Sequence, residues 1–280
     1  MANAGGSALR NAPLMRREGW RAARGRGKHW ADVACRPCLH RWVLLLAWLL
    51  APAIVAGQEQ QDRLRFLGNA MIPPMISLVD GKPAGVVVDL AYAIAKKSGL
   101  SVNVEAMDWL TAQADLAGGK ADALLQIDPN PAREAMFDFS DVLLDSAFSL
   151  FHKSSRADID DLPSLQGKKV GVERGGFPYQ YLKEHPGIRI FVIRSWKSAF
   201  EMLGADHLDA VLVDRRVGDH ELYAHKISGV IAVERPLVTS WSRIAVRKGD
   251  ARLLERINFG LKEIDRDGTR RAILDKWRTK

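Results

Sequence analysis

Few residues in this chain have types and spacings that could carry covalent chemistry. Both cysteines sit near the N-terminus as Cys35-Arg-Pro-Cys38. A lone CxxC with no second pair is a weak metal signal, and His40 falls one residue too late for c-type haem attachment. No nucleophile elbow, phosphate loop or metal-spaced cluster occurs elsewhere. Glu173, beside the glycine loop Arg174-Gly-Gly-Phe177, is the one loose acid/base candidate, and a loop glutamate of this kind is expected to be a solvated carboxylate. The loop has another use, because backbone N–H groups at Gly175 and Gly176, just before a helix, can bind an oxyanion. These residues point to binding rather than catalysis, with no cofactor and no metal.

Charge narrows the partners. Nine of the 41 Lys and Arg lie in residues 1–57, against only Glu18 and Asp32, so nearly all of the net +8 belongs to that segment. The remaining chain is close to neutral and has no electrostatic footprint for nucleic acid. Within the basic segment an apolar run, Trp42 to Leu50, leads to the small residues of Ala51-Pro-Ala-Ile-Val-Ala-Gly57 and then to Gln58-Glu-Gln-Gln-Asp62. The run is short for a membrane span and is expected to be a secretory signal, with cleavage leaving a mature chain that starts between Ile54 and Gln58. An uncleaved anchor is the alternative. Positive charge ahead of the run places everything after Gly57 on the exported side, in the periplasm. The exported part has no cysteine and must be held by its core alone.

The elements that would position a site alternate between strand-like and helical patterns, which defines an α/β class. Strands are expected at Arg63–Leu67, Ser101–Val104, Ala123–Ile127, Lys168–Val172, Arg189–Ile193, Asp209–Val213 and Arg243–Arg247. Asp80-Gly81 is a turn signal ahead of a β-like run, Gly85-Val-Val-Val88, and Asp89 is expected to cap a helix, Leu90 to Lys97, that Gly99 stops. Helices are also expected at Leu110–Ala117, at Trp196–Leu203 behind the N-cap Ser195, along Leu254, Ile257, Leu261 and Ile264, and from Ile273 to Trp277. Asp128-Pro-Asn-Pro131 breaks the chain into a loop, and the polar stretch His152–Asp161 is expected to cross between two similar halves.

The order of several motifs along some 215 residues resembles the bacterial family 3 extracellular solute-binding proteins and the similar Venus-flytrap sensor domains. The segments are Pro83-Ala-Gly-Val-Val-Val-Asp-Leu90, Gly119-Lys-Ala-Asp-Ala123, Pro131-Ala-Arg-Glu-Ala-Met-Phe-Asp-Phe-Ser140, Leu165-Gln-Gly-Lys-Lys-Val-Gly-Val172, Asp267-Gly268 and Lys276-Trp277. The resemblance implies a type II periplasmic-binding-protein fold: two α/β lobes joined by hinge strands, with a ligand cleft between them. Residues 62–146 plus 242–280 would form one lobe, 148–240 the other, and 1–57 the leader.

For such a cleft to take a zwitterion, it needs a cation for the carboxylate, an anion for the ammonium and a flat apolar surface. By resemblance Arg133 would bind the carboxylate, Asp214 the ammonium, and Trp109 would stack on the ligand. Asn69, Ile72 and Phe177 would line the mouth. Both charged side chains are expected to face an open cleft, so that removing them would hardly alter stability. An ordinary pairing of Asp214 with Arg215 or Arg216 is the bland alternative. The chain departs from the family before the arginine, where Ser/Thr usually stand: here Gln126 can donate to a carboxylate, whereas Asp128 either competes with it for Arg133 or binds a cationic ligand instead. The Gln126–Arg133 segment resembles the input domains of two-component kinases and diguanylate cyclases more than it resembles transporter receptors.

The resemblance thus implies a periplasmic receptor for a small polar solute, an amino acid or related compound, serving an ABC permease in the inner membrane. A ligand-sensing module with a signalling partner, and a periplasmic dehydratase of the same fold, are the alternatives.

Overall fold

The computed structural model describes residues 63–278. The leader, with its expected signal and Cys35 and Cys38, lies outside the described residues. Each half starts from a parallel trio of strands. In the first, β1 (Leu64–Asn69) lies between β4 (Val102–Met107) and β5 (Ala123–Ile127). In the second, β7 (Lys169–Val172) lies between β8 (Arg189–Val192) and β9 (Ala210–Asp214). Two antiparallel strands join the trios into one sheet of order β4-β1-β5-β11-β6-β9-β7-β8, with β10 (Val230–Ala232) also paired to β6.

Those joining strands are β6 (Phe137–Lys153) and β11 (Val238–Arg247). β11 pairs with β5 on one side and β6 on the other, and β6 continues from β11 to pair with β9 through Phe148–Phe151. Register shifts around Ser242, Arg243 and Ala245 bend the ladder between the halves, as bulges do. The crossing is therefore made by strands and not by the polar stretch from His152. His152 and Lys153 end β6, and Ile159 is buried in the core of the second half with Leu165 and Val170.

The run Val86–Val88 is helical. Helix α1 (Val86–Ser98) starts there because Gly85, at φ 137°, turns the chain back on the preceding loop, and the Val86 and Val87 N–H groups donate to the carbonyls of Pro74 and Met75. Burial of all three valines outweighs their modest helix propensity. Asp89 lies in the first turn instead of capping it, and accepts from Lys276 Nζ at 2.7 Å and Trp277 Nε1 at 2.8 Å. These bonds tie the end of helix α8 (Thr269–Lys276) to α1. Ahead of α8, helix α7 (Ala251–Arg266) packs on α1 where Gly260 meets Ile94; a Cβ there would lie 2.6 Å from the Ile94 carbonyl oxygen.

The strand ends are punctuated by caps. Asp80 and Gly81, both at positive φ, turn β2 (Ser77–Val79) into β3 (Lys82–Ala84). Asp108 caps α2 (Trp109–Ala117), Asn130 caps the short α3 (Pro131–Glu134), and Gly176 precedes α4 (Phe177–Lys183). Ser195 caps α5 (Trp196–Gly204) and Asp214 caps α6 (Arg215–Ala224). Among the described residues no helix is long and apolar enough to cross a membrane.

Candidate functional site

Five candidate side chains converge because they stand at or just beyond the carboxyl ends of parallel strands. Asn69 ends β1, Gln126 and Asp128 stand at the end of β5, Glu173 follows β7 and Asp214 ends β9. In open α/β sheets that edge is where ligands bind, since neighbouring loops diverge there and leave a crevice. A cavity of about 60 Å³ occupies it. Its polar lining comes from Gln126, Asp128, Ser146, Glu173 and Asp214, and its apolar lining from Ile72, Phe148, Phe177 and Trp196, with Val213 and Val217 behind. Both halves contribute.

The walls are hydrogen-bonded to each other. Asn69 Nδ2 donates to both carboxylate oxygens of Glu173, at 2.9 and 2.8 Å. The Trp109 indole N–H donates to the Gly175 carbonyl at 3.2 Å, and Trp196 donates to the Met71 carbonyl at 2.6 Å. Arg133 is the fourth link: Nη2 donates to the Gly175 carbonyl at 2.8 Å, while Nη1 donates to the Asp128 carbonyl at 2.7 Å. Its guanidinium also lies over the Trp109 ring, 5.9 Å from the centroid. Gly175 can offer its carbonyl this way because its φ of 74° suits glycine, and a Cβ would meet Leu110 at 2.5 Å.

The placement corrects the expectation that Arg133 and Asp214 face an open cleft. Their exposures are 4% and 6%, and both are partnered within the protein. Asp214 lines the cavity, yet its carboxylate also accepts the Arg216 N–H at 2.9 Å and binds Arg216 Nε and Nη2 at 3.1 and 3.0 Å. Asp128 meets Arg133 through its main-chain carbonyl, leaving carboxylate atom Oδ1 buried without a donor. Gln126, at φ 54°, carries a second such acceptor, Oε1. Trp109 touches Arg133 and Gly175 and is not among the cavity-lining residues; Phe177, stacked on Phe148 at 5.1 Å, is. Glu173 is no solvated loop carboxylate, since it is half-buried under Asn69.

Burial sets the electrostatics. Desolvation raises the Asp128 carboxyl to about 6, against the opposing pull of the Ser240 and Ser146 hydroxyls and of Arg133. It raises Glu173 to about 7, opposed by the Asn69 amide and helped by the charge of Asp108. Desolvation also lowers Arg133 to about 10, so it remains a cation at neutral pH. No metal-ligating cluster occurs among the described residues.

Residues missed in the sequence are Trp196, Phe148 and Ser146. Trp196 could have been noticed as an aromatic immediately behind a helix cap, the position Trp109 also holds. Phe148 and Ser146 lie within a strand whose pattern gives no hint of a cleft.

This fold and cleft define a binding protein of the type II periplasmic, Venus-flytrap architecture. The chain belongs to the bacterial extracellular solute-binding proteins, family 3, whose pattern matches residues 64–280. The L-cystine-binding protein TcyJ of Escherichia coli (strain K12) is 28% identical over 202 residues, covering 71% of this chain and 75% of TcyJ. An ancestral arginine-binding protein solved with arginine shares 33% identity at a TM-score of 0.72, over 78% of this chain and 99% of that one. A histidine kinase sensor domain similar to periplasmic binding proteins gives a TM-score of 0.74 at 28% identity, over 77% of this chain and 96% of that one. The protein is a solute-binding protein, and its relatives named here are binding and sensor proteins.

Proposed function

We propose that this chain is a periplasmic receptor that captures a small polar solute, an amino acid or related compound, and presents it to an ABC permease in the inner membrane. The observation that carries this is the cavity at the strand ends, lined from both halves and bridged by hydrogen bonds between them. Asp214, Asp128, Gln126, Phe177 and Gly176 would meet the solute, while Arg133, Trp109, Asn69 and Gly175 would form the walls around it. Residues 62–146 with 242–280, and residues 148–240, would move as two lobes about β6 and β11, and the segment before Gly57 would direct export. Relatives named for cystine and arginine support an amino acid or a related compound as the solute.

A thermal-shift and calorimetric screen of the full chain with amino acids, polyamines and small carboxylates tests the receptor reading, with small-angle scattering on each hit. Binding accompanied by a smaller radius of gyration is expected, as hinge closure requires tighter binding by the closed state. A chain that binds none of these solutes is not such a receptor. The kinase sensor likeness favours a second reading, an input module whose partner is a signalling protein. Purification of the chain with a permease and ATPase, or with a kinase, separates the two.

A further inference from the structure

We propose that the cleft selects a small organic cation that carries no carboxylate, held by Asp128, Glu173 and Asp214, while Arg133 latches the two walls together instead of receiving a ligand carboxylate. This rests on the receptor reading above and names the class of solute.

The first ground is the sign of the charged side chains facing the cavity and the unpaired acceptors beside them. Asp128, Glu173 and Asp214 line it, and no lysine, arginine or histidine is among the lining residues. Asp128 is only 8% exposed, and its Oδ1 has no hydrogen-bond donor, nor does Gln126 Oε1. Buried acceptors of this kind are costly unless a donor reaches them, and a carboxylate group has no donor to offer. An ammonium, amidinium or guanidinium group has several.

The second ground is the state of the nearby cations. Arg133 directs Nη1 and Nη2 at the Asp128 and Gly175 carbonyls, and Arg216 is bonded to Asp214 through Nε and Nη2. A ligand carboxylate would have to break these bonds and then lie beside Asp128, whose charge repels it. The apolar surface of Phe177, Phe148 and Trp196 suits the alkyl part of an amine and the face of a cation alike. At about 60 Å³ the cavity takes about five water-sized groups, the scale of a short diamine or of a guanidinium head.

Matched probes that differ only by a carboxylate decide the matter on the unmodified full chain. Calorimetry is run with L-arginine against agmatine, and with 2,4-diaminobutyrate against 1,3-diaminopropane. At least one amine is expected to bind at least tenfold more tightly than its parent amino acid. Asp128→Asn and Glu173→Gln, which keep side-chain shape, are each expected to weaken that amine by at least tenfold. Tighter binding of the amino-acid parents, or no binding of either amine, overturns the proposal. If some carboxylate-bearing solute binds and closes the lobes, the receptor reading stands and only the cation proposal falls. If no solute of the wider screen binds, both fall.

Discussion

Asn69 and Glu173 face each other across the cleft with one amide nitrogen shared between two carboxylate oxygens, at 2.9 and 2.8 Å. The same asparagine turns its own oxygen back to the Met71 N–H at 2.9 Å, so the amide is held in one orientation. Replacing it with aspartate exchanges the donor for a second carboxylate at hydrogen-bond distance. Two such groups can sit together only by sharing a proton. Asn69→Asp is therefore expected to melt near the wild-type temperature at pH 5 and well below it at pH 8. Equal losses at both pH values would show that the pair does not carry the contact.

The stability of the parent protein should itself fall as pH rises from about 4 to 7. Asp128 and Glu173 have native values of about 6 and about 7, raised above those of the unfolded chain. Between each pair of values the native state binds more protons than the unfolded state, so stability declines with pH in that window. Asp128 is faced by Arg133, Asp214, Ser146 and Ser240, and Glu173 by Asn69 and Asp108. The carboxyls held low by ion pairs, such as Glu105 beside Arg65 and Asp138 beside Lys248, act only in more acidic solution. Melting curves of the double variant Asp128→Asn, Glu173→Gln should show a flatter pH dependence.

Arg133→Ala should destabilise the fold, because it leaves the Asp128 carbonyl without its donor and the Gly175 carbonyl with the Trp109 indole alone, both in a buried site. The expected loss is about 1–3 kcal/mol, which for a domain of this size is roughly 2–12 °C in melting temperature. Arg133→Lys retains the charge and one donor group and should recover part of it. A melting temperature unchanged in Arg133→Ala would return this side chain to the role of a free ligand-binding cation.

Gly85→Ala should be far more damaging than Gly81→Ala, although both glycines have positive φ. An added Cβ at Gly85 would stand 2.3 Å from the Met75 carbonyl oxygen and 2.7 Å from that of Pro74, whereas at Gly81 it meets nothing within 4 Å. The Gly81 change carries only the conformational cost of about 1–2 kcal/mol. At Gly85 backbone atoms must move as well, and the loss should exceed about 3 kcal/mol. Denaturant midpoints of the two variants give the comparison.

Local signals made much of this architecture legible. Ser195, Gly99 and Asp80-Gly81 act within a few residues of themselves, and the turns and caps they announce are present. The valines at 86–88 misled because the carbonyls that start their helix belong to Pro74 and Met75, and nothing local announces that contact. The same limit governs the cleft. Arg133 and Gly175 are 42 residues apart, and Asn69 and Glu173 are 104 apart, so neither partnership leaves a trace in spacing. The residue types were visible, but the direction each would point depended on the opposite wall.

Trp109 and Trp196 each place an indole N–H across the seam between the walls, on carbonyls of Gly175 and Met71. Trp277 is fastened to Asp89 within one half, and Trp241, 61% exposed, already meets solvent. Separation of the walls would wet the first two rings together and leave the latter pair unchanged. The molecule thereby contains a built-in optical gauge: the emission of its own tryptophans should shift to longer wavelength when the jaws part, so each solute that holds them together can be followed without any attached dye.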